Sequence, residues 1–306
     1  MKNPLVHLAV ALLSLAFCLN IAHGQTRARA PQGSETTVVF AVTKYQEADG
    51  ATGDGMIDPI VVINRGRFTA PPEGPPSEGG ETTPEIAAGR RFVADFYRPN
   101  RKYRVLSGGG ESGTASVIKY VEPGCVGNEA SVALQTGVKL GGQVLALATN
   151  SSTLGRGEGT RRAPTEQERA AALKLAQSTL GQKGVKASLI AKMETVNLTA
   201  ADLNGDGKAE LIGAFIIKGA IGAEYALLMV FEPAGAGFRA AMTWYVHTTG
   251  EAEVQYRRLV DVLDLDGDGV AEILVQGLYY ESHNYMIYKK AAGQWRVVYE
   301  GGGGGC

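Results

Sequence analysis

Short runs of apolar, β-branched and aromatic residues recur along this chain, separated by clusters of Gly, Pro and acidic residues. Runs of that length and composition predict strands. In the first half they lie at Thr37 to Thr43, Pro59 to Asn64, Tyr103 to Leu106, Ala115 to Val121, Ala130 to Leu134 and Val144 to Ala148, with Arg65-Gly66-Arg67 as a turn before Phe68. Two stretches switch to helical spacing. After Thr83 and Pro84, which suit a cap and a first turn, Phe92 and Phe96 share one face. After Thr165, which forms a capping box with Glu168, one face carries Leu173, Ala176 and Leu180, and Gly181 can end the helix. Ala70 to Pro84 reads as a Pro/Gly/Glu linker with no means of packing, and Asn150 to Pro164 as a second linker.

From about Ser188 the pattern repeats. An apolar stretch (Met193 to Leu198; Leu259 to Leu263) leads into a polar loop and then into another apolar stretch (Leu211 to Ile217; Ile273 to Leu278). Further strands follow at Tyr225 to Phe231 and Tyr285 to Tyr288, then a turn into an aromatic, Phe238 or Trp295. The loops begin at Asp202 and Asp264, an offset of 62 residues. About four strands per unit at that period predict propeller-type blades. The expected fold is mainly β with two helices. Residues 37–150 form an N-terminal mostly β region with one helix, and 151–187 a linker and helix. A C-terminal pair of propeller-blade-like β-repeats covers 188–300. Residues 301–306 are a Gly-rich tail with no side chains with which to dock, ending in Cys306.

The two loops carry the candidate chemistry. Asp202, Asn204, Asp206 and Glu210 stand at positions 1, 3, 5 and 9 of the first, and Asp264, Asp266, Asp268 and Glu272 at the same positions of the second. A hard cation such as Ca²⁺ takes roughly six to eight oxygens at about 2.3–2.6 Å, and a tight loop with glycines at positions 4 and 6 can converge them. An EF-hand would need an acid at position 12, where Gly213 and Val275 stand, and helical flanks; a dockerin fails for the same acid. Gly53-Asp54-Gly55-Met56-Ile57-Asp58 echoes the loop weakly and reads as a turn with two carboxylates.

Asp-x-Asp/Asn-Gly-Asp-Gly-x-x-acid between strands, closed by Gly-x-Phe/Trp, resembles the FG-GAP/VCBS repeat family over roughly residues 190–300. The resemblance implies two structural Ca²⁺ sites. One would use Asp202, Asn204, Asp206 and Glu210 with the carbonyl of Lys208; the other Asp264, Asp266, Asp268 and Glu272 with the carbonyl of Val270. Family propellers close a ring of many blades, and two are countable here. The all-carboxylate second loop, with Val270 where the first has Lys208, predicts tighter Ca²⁺ binding at the second loop.

Composition narrows the rest. With 30 Lys+Arg against 31 Asp+Glu, the charge balance gives no argument for nucleic acid. Residues 1–24 read as a secretory signal, with Lys2 before the apolar run Leu5 to Ile21 and the small-residue end Ala22-His23-Gly24; no membrane span is expected after its removal. Cys125 and Cys306 would then remain, which in an oxidising compartment predicts one disulfide. The mature chain holds two histidines, His247 at a strand end and His283 in a turn, without a His-Glu-x-x-His or Gly-x-Ser-x-Gly motif. A Ser112 and His247 pair rests on composition alone. Gly108, Gly110 and Gly113 match a dinucleotide fingerprint in form, but the β-type Thr114 to Ile118 follows them instead of a helix. The basic run Arg90, Arg91, Arg98, Arg101, Lys102 and Arg104 reads as a solvated face or a contact with an anionic envelope surface. Tyr279, Tyr280, Tyr285 and Tyr288 read as strand packing or as a recognition face. The leading expectation is a secreted or periplasmic, non-enzymatic binding or adhesion-type module for a protein or glycan ligand. The alternative is a secreted hydrolase with its site in residues 37–150 and the repeats as an accessory module.

Overall fold

A computed structural model describes residues 36–46, 52–75, 83–121, 127–140, 145–156, 161–220, 222–250 and 254–305, all within one compact unit, Glu35–Cys306. The expected signal (1–24) and the Cys125–Cys306 disulfide lie outside the described residues. The fold is mainly β, with antiparallel sheets throughout.

The N-terminal part consists of β1 (Thr37–Gln46), β2 (Thr52–Asn64), β3 (Arg67–Thr69), α1 (Pro84–Phe96), β4 (Lys102–Ser107), β5 (Gly110–Val121), β6 (Glu129–Thr136) and β7 (Ala146–Thr149). The order β1-β7-β4-β5-β6-β2 closes through a β1–β2 pairing, with Val38 opposite Val62 and Val42 opposite Ile57. The result is a six-stranded barrel, with β3 folded back on β2. Val38, Phe40, Val42 and Ile57 meet Tyr103, Val105, Val117 and Val132 in one core, onto which α1 lays Phe92. Val39 and Ala41, of opposite parity, are buried in a different core. Burial on both faces explains why Thr37 to Thr43 is an unbroken apolar run and not an alternating one.

Two expectations are corrected here. The Gly53 to Asp58 echo is not a turn, because it lies inside β2, which starts at Thr52. The Ala70 to Pro84 stretch is packed where it is described. Pro72 O accepts from Asn128 Nδ2 at 3.1 Å, and a Cβ on Gly89 of α1 would lie 2.3 Å from Glu73 O. A glycine in the helix lets this segment run against it.

The chain continues with β8 (Arg161–Arg162), α2 (Glu166–Gln182) and a single-turn α3 (Ala187–Ile190). The first repeat is β9 (Glu194–Ala201), β10 (Glu210–Gly219), β11 (Gly222–Ala234) and β12 (Gly237–His247); the second is β13 (Tyr256–Leu263), β14 (Glu272–Leu278), β15 (Ser282–Ala291) and β16 (Gln294–Gly305). Each repeat is a four-stranded meander, and β8 adds a short edge to the first. The capping box at Thr165 and Glu168 is formed, and α2 buries Ala172, Ala176 and Leu180 against Leu211, Phe215 and Leu227. The opposite face of the first repeat (Ile212, Leu228, Val230) packs on Ile273, Val275 and Met286 of the second. The far face of the second (Leu274, Ile287, Tyr299) packs on Val39, Ile60 and Leu147 of the barrel. The layers therefore run α2, first repeat, second repeat, barrel.

The Gly-rich tail docks, contrary to expectation. Gly301 stands opposite Tyr285, Gly304 opposite His283 and Gly305 opposite Ser282 in the β15–β16 pairing. A Cβ on Gly302 would lie 2.6 Å from Ile60 O, and one on Gly303 2.2 Å from His283 O. The glycines allow the backbone to thread between β15 and β2, a close approach that any side chain would block.

Candidate functional site

Each candidate loop joins the first two strands of a repeat, and the two share most of their internal bonding, differing at position 1, whose donors are positions 5 and 6 in the first loop and 4 and 6 in the second. At position 1, Asp202 accepts from Asp206 N–H (3.1 Å) and Gly207 N–H (2.8 Å). Asp264 likewise accepts from Gly267 N–H (2.7 Å) and Gly269 N–H (3.0 Å). At position 5, Asp206 accepts from Lys208 N–H (2.8 Å) and Asp268 from Val270 N–H (2.9 Å). At position 9, Glu210 Oε2 accepts from Leu203 N–H (3.0 Å) and Glu272 Oε2 from Leu265 N–H (2.7 Å). Gly207 and Gly269 hold φ of 81° and 90°, where a side chain is strained. Lys208 and Val270, expected to offer carbonyls, are tied in through their N–H groups.

Position 2 is a feature the motif reading missed. Leu203 is buried between the two repeats and Leu265 between the second repeat and the barrel, so each loop is pinned by a core residue. The signal was present, as a leucine between two oxygen-bearing side chains in both copies. Ala271 N–H also donates to Leu203 O at 2.7 Å, which joins the two loops directly.

The position-9 acids are 3% and 0% exposed. Burial raises Glu210 above the ordinary carboxylate range and pushes Glu272 up to about 7, with nearby Asp266 adding to the shift at Glu272. Glu272 Oε1 is buried with no hydrogen-bond partner among the described residues. Asp264, Asp266 and Asp268 each offer a carboxylate oxygen, and these atoms lie within 4.8 Å of one another. Such a donor set, all hard oxygens beside the buried Glu272, fits Ca²⁺ and offers nothing for a soft metal.

The loops differ in their cations. Lys289 on β15 reaches into the second loop. Its Nζ lies 2.7 Å from Asp268 Oδ2 and 3.3 Å from Glu272 Oε1, and also bonds Asp266 Oδ2. Burial opposes the ammonium charge, but the bonds to Asp266 and Asp268 hold its pKa above the ordinary lysine value. The same Lys289 bond draws Asp268 down, against burial. In the first repeat, Leu211 pairs with Phe231 as Ile273 pairs with Tyr288, so Glu232 holds the place of Lys289. Glu232 turns to Lys290 Nζ (2.8 Å), Trp295 Nε1 (3.2 Å) and Arg239. Among the described residues, no Lys or Arg pairs with the carboxylates of the first loop.

The remaining candidates serve packing. His283 Nε2 lies 3.1 Å from Asp58 Oδ2, to which Tyr285 OH also donates at 3.3 Å. The Ile57–Ala130 register sets Glu129 beside Asp58, and burial, then the Asp58 charge, push Glu129 up to about 7. These groups occupy the seam between barrel and second repeat; His283 is the second residue of β15 and not in a turn. His247 stacks on Tyr225 at 4.4 Å between ring centroids, while Ser112 Oγ donates to Val105 O in the barrel, so the two are not brought together. In the basic run, Arg101 lies over the Phe96 and Tyr103 rings, and Arg104 pairs with Glu111 and donates to the carbonyls of Ser151 and Leu154. Tyr285 and Tyr288 are buried and Tyr280 is exposed.

Comparison of the chain with protein-family models, curated proteins and solved structures gives no match in any of the three. No helix among the described residues is long and apolar enough to cross a membrane.

Proposed function

We propose that this is a secreted or periplasmic, non-enzymatic binding module whose paired β-repeats are organised by structural cation loops, with Ca²⁺ as the metal. The observation that carries the reading is the shared loop bonding: two copies, 62 residues apart, fold a buried glutamate back onto position 2, and in the second copy three aspartates gather within 4.8 Å of one another. Asp202, Asn204, Asp206 and Glu210 would hold the ion in the first loop. Asp264, Asp266, Asp268 and Glu272 form the matching set in the second. A bound ion would neutralise acids that crowd one another, and would do no bond-making chemistry. His247 and His283 are each engaged in packing contacts, which favours a binding role over the hydrolase alternative. Tyr280, Val297 and Val298, exposed on the second repeat, would belong to the surface offered to a protein or glycan ligand. The test is thermal unfolding of freshly stripped protein with Ca²⁺ and with chelator. Ca²⁺ raises the unfolding temperature on this reading; an unfolding temperature indifferent to Ca²⁺ would reduce the loops to polar turns.

A further inference from the structure

Within their nine positions the two loops differ only at Asn204/Asp266 and Lys208/Val270, which both favour the second loop for a cation, so the opposite order needs a difference from outside the loops. Lys289 is such a difference. Its ammonium touches three of the four acids in the second loop, at 2.7 Å for Asp268 and 3.3 Å for Glu272, with Asp266 also bonded. It comes from the strand after the loop's second strand, and is only 18% exposed. The buried, hydrogen-bond-orphaned Oε1 of Glu272 is the atom it faces. In the first repeat the equivalent position is Glu232, which is turned to Lys290, Trp295 and Arg239, and the first loop has no ion pair with a Lys or Arg among the described residues.

We infer that Lys289 is the resident cation of the second loop, so that Ca²⁺ is taken up by the first loop and excluded from the second unless Lys289 is withdrawn. This rests on the reading of the loops as cation sites and decides between them. It reverses the order that ligand charge alone suggests. The second loop has more negative side chains, but part of that charge is already neutralised by an ammonium on a short tether. A divalent ion must displace that ammonium from its two aspartate partners and from Glu272, whereas at the first loop it meets acids with no Lys or Arg ion pair among the described residues and only the more distant charge of Lys290 acting on Glu210. A tethered group competes at high effective concentration, so its presence costs an entering ion affinity without any change in the ligands. Through Ala271 N–H and Leu203 O, the self-neutralised second loop also holds one edge of the first in place.

Calorimetric Ca²⁺ titration of stripped, full-chain protein tests this. Wild type should take up one equivalent, lost in Asp206→Ala and kept in Asp268→Ala. Lys289→Gln should take up a second equivalent, with affinity at the second loop raised at least tenfold, and Lys289→Gln combined with Asp268→Ala should lose it again. Folding is checked by near-ultraviolet circular dichroism. Two equivalents in wild type, one of them lost in Asp268→Ala, would overturn the inference, as would a folded Lys289→Gln that gains nothing. Should Lys289→Gln fail to fold, Asp268→Ala in the wild-type background decides the matter alone. Failure of the Ca²⁺ reading itself looks different. Uptake by wild type that is indifferent to Asp206→Ala would sink the first loop as a site, while a gained equivalent in Lys289→Gln would still support the role of Lys289.

Discussion

The two repeats set the same nine-residue loop between the same pair of strands, and each buries the loop's last acid and its position-2 leucine in a seam. They part company one strand later. Where the first repeat has Glu232, turned to the neighbouring repeat, the second has Lys289, turned into its own loop. One loop has no Lys or Arg ion pair among the described residues, and the other brings its own counter-charge. On the proposed reading a loop motif does not by itself fix what a loop holds; the residue that would decide lies 21 positions from Asp268 in sequence and beside it in space.

The largest expected effect of breaking this contrast is at Lys289. Replacing it by Met leaves the fully buried Glu272 and two aspartates without their cation, and removal of one partner from a buried pair costs about 3–5 kcal/mol. Chemical denaturation in chelator should show that loss, and Ca²⁺ should recover part of it. Next comes Asp206→Ala. At free Ca²⁺ of about 100 times Kd, a bound ion contributes about 2.7 kcal/mol, which this variant should forfeit, while in chelator it should unfold close to wild type. Both variants are read from chemical denaturation curves recorded with Ca²⁺ and with chelator.

The seams sharpen the comparison further. Between the repeats, Glu232→Gln weakens the contacts to Lys290 and Arg239, at a cost of about 2 kcal/mol that shrinks in high salt. The smallest effect belongs to the barrel seam. Burial raises Glu129 to about 7, so its charged form is disfavoured in the folded protein. Its contribution is most favourable below the ordinary glutamate range and is lost as pH rises through about 7. Glu129→Gln should remove the Glu129 share of that slope, a difference of about 1 kcal/mol after allowance for its partial exposure, and leave the share of Glu272, which burial also pushes up to about 7.

What sequence made legible was local. The Thr165 and Glu168 capping box, the Phe92 face, the strand runs and both loops depend on residues within a few positions of one another, and all lie where their spacing puts them. The barrel was not legible, because β1 pairs with β7 across more than a hundred residues of chain. Asp58 could have been noticed as a lone charge in the apolar run Met56 to Val61, but its partners His283 and Tyr285 are over two hundred residues away. The glycines at 301–305 misled because a missing side chain was read as nothing to dock with, when the docking is between backbones. Lys289 carries no local mark at all; only the strand register aligns it with Glu232 and shows what was exchanged.

The account is tested most directly by a crystal structure of the protein grown with Ca²⁺ near neutral pH, with anomalous scattering used to locate the ions. The result expected is one ion in the first loop, held by Asp202, Asn204, Asp206 and Glu210, and the Lys289 ammonium still among Asp266, Asp268 and Glu272. An ion in the second loop with Lys289 swung out to solvent, or no ion in the first loop, would contradict it.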